Sequence, residues 1–281
     1  MSRNTFKTYI LLAALGGLLV LAGSLFGRGG AVLGLLIGLV FVGASYWFSD
    51  KIAIKAARAR PVSEQEAPEL YRMVRDLTMR ANMPMPKLYV TPSEQPNAFA
   101  TGRNENHAAV AVTQGITKIL SQDELRGVLA HELSHVKNND ILIGSVAAAV
   151  AMGITFLARM LMWGAMFGGG RDNEGGNPLG LLAMAVLAPM AAGLLQMALS
   201  RSREFEADHS GADIMGNGES LARALEKLEL SAKRVPMNVN PAQATMYIVN
   251  PLSGRPVNFA RLFSTHPSTQ ERIERLRAWR P

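Results

Sequence analysis

Cysteine is absent from this 281-residue chain. That excludes disulfides and thiol nucleophiles, and any zinc site has to be built from histidine, aspartate and glutamate. Aromatic residues are sparse, at 6%, and are not interleaved with basic ones. The formal charge of +7 therefore lacks the pattern of a nucleic-acid surface; no zinc-finger spacing and no isolated basic domain accompany it. No nucleic-acid partner is expected. Histidine is scarce as well, and the five are His107, His131, His135, His209 and His266.

What the chain does have is apolar length, concentrated in four blocks. Thr8 to Phe26 and Gly29 to Ser49 carry no charge, and each has the length of a membrane-crossing helix. Arg3 and Lys7 ahead of the first block are compatible with a cleaved signal peptide. A second block after only Gly27-Arg28-Gly29-Gly30 favours a retained hairpin. The third block runs from Ile141 to about Gly164 with one charge, Arg159, and the fourth, Pro178 to Ser200, is uncharged. Basic residues flank these blocks on one side: Lys51, Lys55, Arg58 and Arg60, then Lys137, then Arg201 and Arg203. By the positive-inside rule, four spans place both termini in the cytoplasm and the loop 165–177 outside. A buried hairpin in a soluble fold is the competing account of blocks three and four.

After Pro61 the composition changes. Glu64 to Ala81 alternates apolar and charged residues at helical spacing. Three short extended segments follow, Lys87–Val90, Ala98–Thr101 and Ala108–Thr113, which predict a small sheet. Ser121 with Glu124 three residues on forms a capping-box pattern, predicting a helix from Gln122 to about Lys137. Further helices are expected over Arg203–Met215, Gly218–Ala232 and Thr269–Trp279, with residues 235–262 irregular.

Within the capped helix lies His131-Glu132-Leu133-Ser134-His135. Two imidazoles one turn apart share a face and can bind one metal ion, with a glutamate beside them to move a water proton. Catalytic zinc needs a third protein ligand and an open position. The segment Arg203-Glu204-Phe205-Glu206-Ala207-Asp208-His209 offers it. Glu204 and Asp208 are one turn apart, so one can bind zinc while the other accepts the Nδ1 proton of a ligand histidine; Glu204 is the favoured ligand. His209 lies about 100 degrees around the helix from Asp208. Glu206 points to the surface, and His107 reads as a strand-end histidine. Arg203 is either a membrane-side anchor, the favoured reading, or a partner for Asp208 or Glu204.

Together with Phe263-Ser264-Thr265-His266-Pro267, these motifs resemble the HtpX-type membrane zinc peptidases, a group related to the CAAX-prenyl proteases. The resemblance covers essentially the whole chain. It implies metal ligands His131, His135 and Glu204 for one catalytic Zn2+, Glu132 as general base and Asp208 in support. It also implies His266 near the substrate or developing oxyanion, and Asn97-Ala98-Phe99-Ala100-Thr101 as a substrate-binding edge strand. His266 holding Pro267 and the last helix in place, and an internal rather than edge strand at 97–101, are the alternatives.

The expected fold is α+β and mostly helical, with four transmembrane helices and a cytoplasmic zincin-like protease domain carrying a small β-sheet. Residues 1–50 form the first hairpin, 51–140 and 201–281 the two parts of the protease domain, and 141–200 the second hairpin. The implied location is the bacterial inner membrane, multi-pass, with the lipid bilayer and polypeptides as partners. The implied activity is a zinc endopeptidase acting on misfolded or damaged membrane proteins. A catalytically silent zinc-containing membrane chaperone or scaffold is the alternative.

Overall fold

The computed structural model describes residues 27–140, 201–234 and 267–281, with 13, 17, 20 and 248 as isolated positions. Its first long element, α1 (Gly27–Ala56), contains the apolar block 29–49 and continues through Asp50, Lys51 and Lys55. Near its end Ala53 is buried against Phe99 and Ala111 of the sheet, while Trp47 stacks under the Arg103 guanidinium at 4.7 Å. The helix therefore runs on into the protein body.

The four-span, multi-pass topology is corrected here. Among the described residues no helix is long and apolar enough to cross a membrane. Blocks one, three and four, with the loop 165–177, lie outside the described residues apart from 13, 17 and 20. The block that is described forms part of a helix whose last turns are charged on one side and packed on the sheet on the other. Neither the transmembrane fold class nor an inner-membrane location with cytoplasmic termini is carried forward.

Four strands make a mixed sheet in the order β1-β2-β4-β3. They are β1 (Arg60–Pro61), β2 (Lys87–Thr91), β3 (Ala98–Gly102) and β4 (Ala108–Thr113). β2 and β4 run parallel, with Leu88 opposite Val110, whereas β3 lies antiparallel to β4, with Ala100 opposite Val110. β3 is thus a terminal strand. Between β1 and β2, α2 spans Pro68–Ala81, four residues shorter than the pattern from Glu64 predicts. Pro68 is the cause. Its ring disfavours helical geometry at Ala67 but suits the first helical turn. Ahead of it, Ser63 is instead bonded to Glu66.

A short α3 (Gln114–Ile119) leads to α4 (Gln122–Lys137), the helix around which the rest is arranged. The capping box forms as expected: the Glu124 amide donates to Ser121 Oγ, and the Ser121 amide donates to Glu124 Oε2 at 2.8 Å. Such a cap stabilises a helix start by about 1 kcal/mol. α4 packs on α2, β3, α5 (Arg201–Met215) and α6 (Glu219–Arg234). Leu129 and Leu133 are fully buried with Val74, Leu77 and Leu225. Because α4 is enclosed on most sides beyond its first turn, Glu124, His131, Glu132 and Ser134 are buried too, and each needs a partner within the protein. The last helix, α7 (Thr269–Ala278), closes over α5 and α6.

Candidate metal centre

On α4 the i, i+4 spacing brings His131 and His135 edge to face, with ring centroids 4.7 Å apart. Their Nε2 atoms approach to 3.2 Å. The opposite ring nitrogens both meet carboxylates: His131 Nδ1 lies 2.9 Å from Asp208 Oδ1, and His135 Nδ1 lies 3.1 Å from Asp140 Oδ2. A carboxylate at Nδ1 holds the proton there, so each neutral imidazole presents its Nε2 lone pair. Two lone pairs aimed at one point repel each other unless a proton or a metal cation lies between them.

The third donor comes from α5. Glu204 Oε1 is 3.5 Å from His135 Nε2, and Oε2 is 3.8 Å from His131 Nε2. One ligand atom from each of His131, His135 and Glu204 falls within 4.8 Å of the others. Bonds of zinc length in a tetrahedral site imply ligand–ligand separations of roughly 3.3–3.5 Å. Two imidazoles, one carboxylate and these spacings fit a zinc ion with a coordination position left open.

Close approach of α5 to α4 depends on Gly211. A Cβ there would lie 3.1 Å from the His131 amide nitrogen and 3.2 Å from its Cα. Glycine lets the two backbones meet at the ligand itself, one turn below Asp208 and two below Glu204.

Glu132 faces the sheet. It is 7% exposed, and its Oε2 accepts the Ala100 amide hydrogen at 2.9 Å. Burial pushes its carboxyl pKa up; the two histidines oppose the shift and Glu204 reinforces it. A raised carboxyl is suited to holding a proton in transit. The Asn97 carbonyl accepts from the Thr113 amide on the β4 side, so by antiparallel alternation Ala98 and Ala100 turn their main-chain groups to the free edge. Ala100 is the one residue of β3 that is not buried. Asn97 and Phe99 are buried, Phe99 against α1 and Asn97 through its Oδ1, which accepts the Ile248 amide hydrogen.

Electrostatics divide the supporting groups. Burial acts to raise the Asp208 pKa, but Arg272 outweighs it through charge and hydrogen bonds, and with His131 brings it down to about 2. Arg272 Nε and Nη2 donate to the two Asp208 oxygens at 2.8 and 2.7 Å. His135 is pushed up to about 9: burial opposes its protonation, but the Asp140 hydrogen bond and the charges of Glu204 and Glu132 prevail. The same negative field favours a divalent cation between the rings.

Other expectations resolve simply. Glu206 and His209 are exposed, with His209 Nδ1 3.2 Å from Asp213 Oδ2, and the His107 ring meets Asn104 Oδ1 at 2.8 Å. Arg203 is buried beside Asp140 and Glu204, where desolvation lowers its pKa. His266 lies outside the described residues.

Asp140 and Arg272 are absent from the sequence-based assignment. Asp140 had a weak signal: Asn138-Asn139 follows the helix, and Asn139 adopts a left-handed φ of 58° that turns the chain back. Arg272 occupies the position four before Leu276, on the apolar stripe of its helix, where a charge calls for a partner.

A model of Peptidase family M48 matches residues 64–280. A Protease HtpX homolog of Pelotomaculum thermopropionicum is 55% identical over 279 residues, covering 98% of this chain and 99% of the relative. One of Syntrophobacter fumaroxidans is 53% identical over 281 residues, with 98% and 99% covered. Among solved structures, the crystal structure of S. mikatae Ste24p is similar in fold, with a TM-score of 0.53 at 20% identity. That match covers 97% of this chain and 65% of the other.

Proposed function

We propose the following reaction for this chain, which belongs to Peptidase family M48 and is a zinc metalloendopeptidase of the HtpX type. His131, His135 and Glu204 would hold one catalytic Zn2+. What zinc supplies there when bound is Lewis acidity, lowering the pKa of water and polarising a peptide carbonyl. Glu132 takes the proton of the attacking water and passes it to the leaving amine, and its burial suits it to hold that proton between the two steps. The Ala100 amide keeps the carboxylate on the side where β3 is open.

Substrate polypeptide lies extended along β3 and bonds to its main chain at Ala100, through the carbonyl that the Glu132 contact leaves unused, so recognition is broad in side-chain sequence. Of the segment 97–101, Ala100 supplies the contact through backbone; Asn97 and Phe99 serve the fold. His266 meets the developing oxyanion. Resemblance to the HtpX-type peptidases supports misfolded or damaged membrane proteins as substrates, in protein quality control and stress response. The two stretches 51–140 and 201–281 act as one protease unit, since α4 and α5 each bring part of the metal centre.

One observation carries this reading: three zinc-type donor atoms converge beside a buried glutamate that is itself bonded to a terminal strand. Cleavage of a denatured, fluorescently labelled polypeptide tests it. Wild type should cleave, lose activity to a chelator and regain it with zinc. Glu132→Gln should bind zinc normally yet lose at least about a hundredfold in kcat. Undiminished turnover by Glu132→Gln would sink the mechanism.

A further inference from the structure

Arg272 lies 68 residues beyond Glu204 in the chain, and it is 1% exposed. All its guanidinium nitrogens are engaged. Nε and Nη2 grip Asp208, and Nη1 donates to the Ile248 carbonyl at 2.9 Å. Behind that grip the group sits against the metal centre, with Nη2 3.5 Å from His131 Nε2 and Nη1 3.7 Å from Glu204 Oε2. The Ile248 amide in turn donates to Asn97 Oδ1 at 3.3 Å. A continuous series of contacts thus runs from the start of β3 through Ile248, Arg272 and Asp208 to His131.

We propose that Arg272 is a positioning residue of the metal centre: it fixes Asp208, and through Asp208 the ring orientation and tautomer of His131. The C-terminal helix is then part of the metal-binding apparatus, although it supplies no ligand. This inference rests on the metal-centre reading above.

Charge and geometry pull in opposite directions here, which makes the role testable. A guanidinium this close to the ligand nitrogens repels a divalent cation, so removing it should tighten zinc binding if its effect is purely electrostatic. If its effect is orientation, removal loosens zinc despite the lost repulsion. Lysine keeps the charge but cannot form the two-pronged contact with a carboxylate.

The experiment measures zinc affinity by competition with a chromophoric chelator, and the visible absorption of the cobalt-substituted protein, for wild type, Arg272→Gln and Arg272→Lys. Far-UV circular dichroism sets a temperature at which every variant is folded. We expect zinc to bind about 10- to 100-fold more weakly in Arg272→Gln, as losses of supporting groups behind ligand histidines do. Arg272→Lys should recover little of that loss, and both variants should shift the cobalt spectrum. Asp208→Asn should weaken zinc similarly, and adding Arg272→Gln to it should cost little more. Wild-type affinity and spectrum in Arg272→Gln, or tighter zinc, would overturn the inference alone. Should Arg272→Gln fail to fold, Arg272→Lys decides the matter: full wild-type affinity in it overturns the positioning role. A wild-type protein that bound no zinc would overturn the metal centre and this inference together.

Discussion

His131 and His135 are identical in chemistry and one helical turn apart, yet they are supported by different means. His131 is held from a distance. Its carboxylate partner, Asp208, comes from another helix, and that carboxylate is gripped by Arg272 from a third. His135 is held locally, by Asp140 five residues along the chain, where left-handed Asn139 reverses direction after α4. Its side chain is 15% exposed, against 2% for His131. One half of the centre is therefore assembled only when α4, α5 and α7 pack together, while the other needs little beyond a correct helix end. The difference teaches that a symmetric-looking motif can conceal one tertiary and one local dependence.

Breaking the tertiary half should have the largest effect. Asp208→Asn leaves a fully buried guanidinium facing a neutral amide. Removing one partner of such a buried pair typically costs about 3–5 kcal/mol, because the other charge stays desolvated. Urea unfolding of zinc-stripped protein should register that loss. A deficit below about 1 kcal/mol would mean that the His131 half is no more tightly coupled than the other.

This asymmetry also marks what could be read from the chain. The capped helix carrying the pentad, the three longer strands and Glu204 rest on local or periodic signals, and each is found where residue spacing puts it. Arg272 resists such reading because its partner is 64 residues away, and no local rule says which buried carboxylate a helix-face arginine will meet. The four-span topology miscarried for a related reason. Apolar length reports what a segment can do, whereas the end of α1 is decided by packing of Ala53 on Phe99 and Ala111. The short α3 and the two-residue β1 escaped notice because segments of that length have too few residues to display a period.

An intermediate effect is expected where α5 touches α4. Gly211→Ala adds one methyl group at 3.1–3.2 Å from the His131 backbone, tighter than ordinary van der Waals contact. Backbone cannot rotate aside as a side chain can, so the helices must separate slightly, at a cost of about 1–3 kcal/mol. The displacement bears on His131 directly and leaves the Asn138–Asp140 turn alone. Thermal melts should show the loss, and weaker zinc binding should accompany it. Unchanged affinity in a destabilised Gly211→Ala protein would show that the ligand geometry tolerates helix separation, and the contrast between the halves would narrow.

The smallest effect separates the two halves by the sign of their pH dependence. Asp208 has its folded pKa lowered to about 2 from an ordinary 3.8. A depressed carboxyl contributes stability above its unfolded pKa and loses it as pH falls through the folded one. The deficit of Asp208→Asn should therefore hold across neutral and alkaline pH and fade only between about 4 and 2. His135 behaves oppositely. Its pKa rises from 6.5 to about 9 in the carboxylate surroundings, so in zinc-stripped protein its contribution is complete below 6.5 and is lost as pH rises through 9. Asp140→Asn retains an oxygen acceptor but not the charge, and should cost about 1 kcal/mol in the acid range. That deficit should shrink as pH rises through 9 and vanish above it, where the imidazole is neutral in both proteins. Urea midpoints for wild type and the two variants, from about pH 2 to about pH 10, would reveal the crossing. Parallel curves would mean that the two histidines share one electrostatic environment, and that the distant and local supports are distinct in sequence but not in physics.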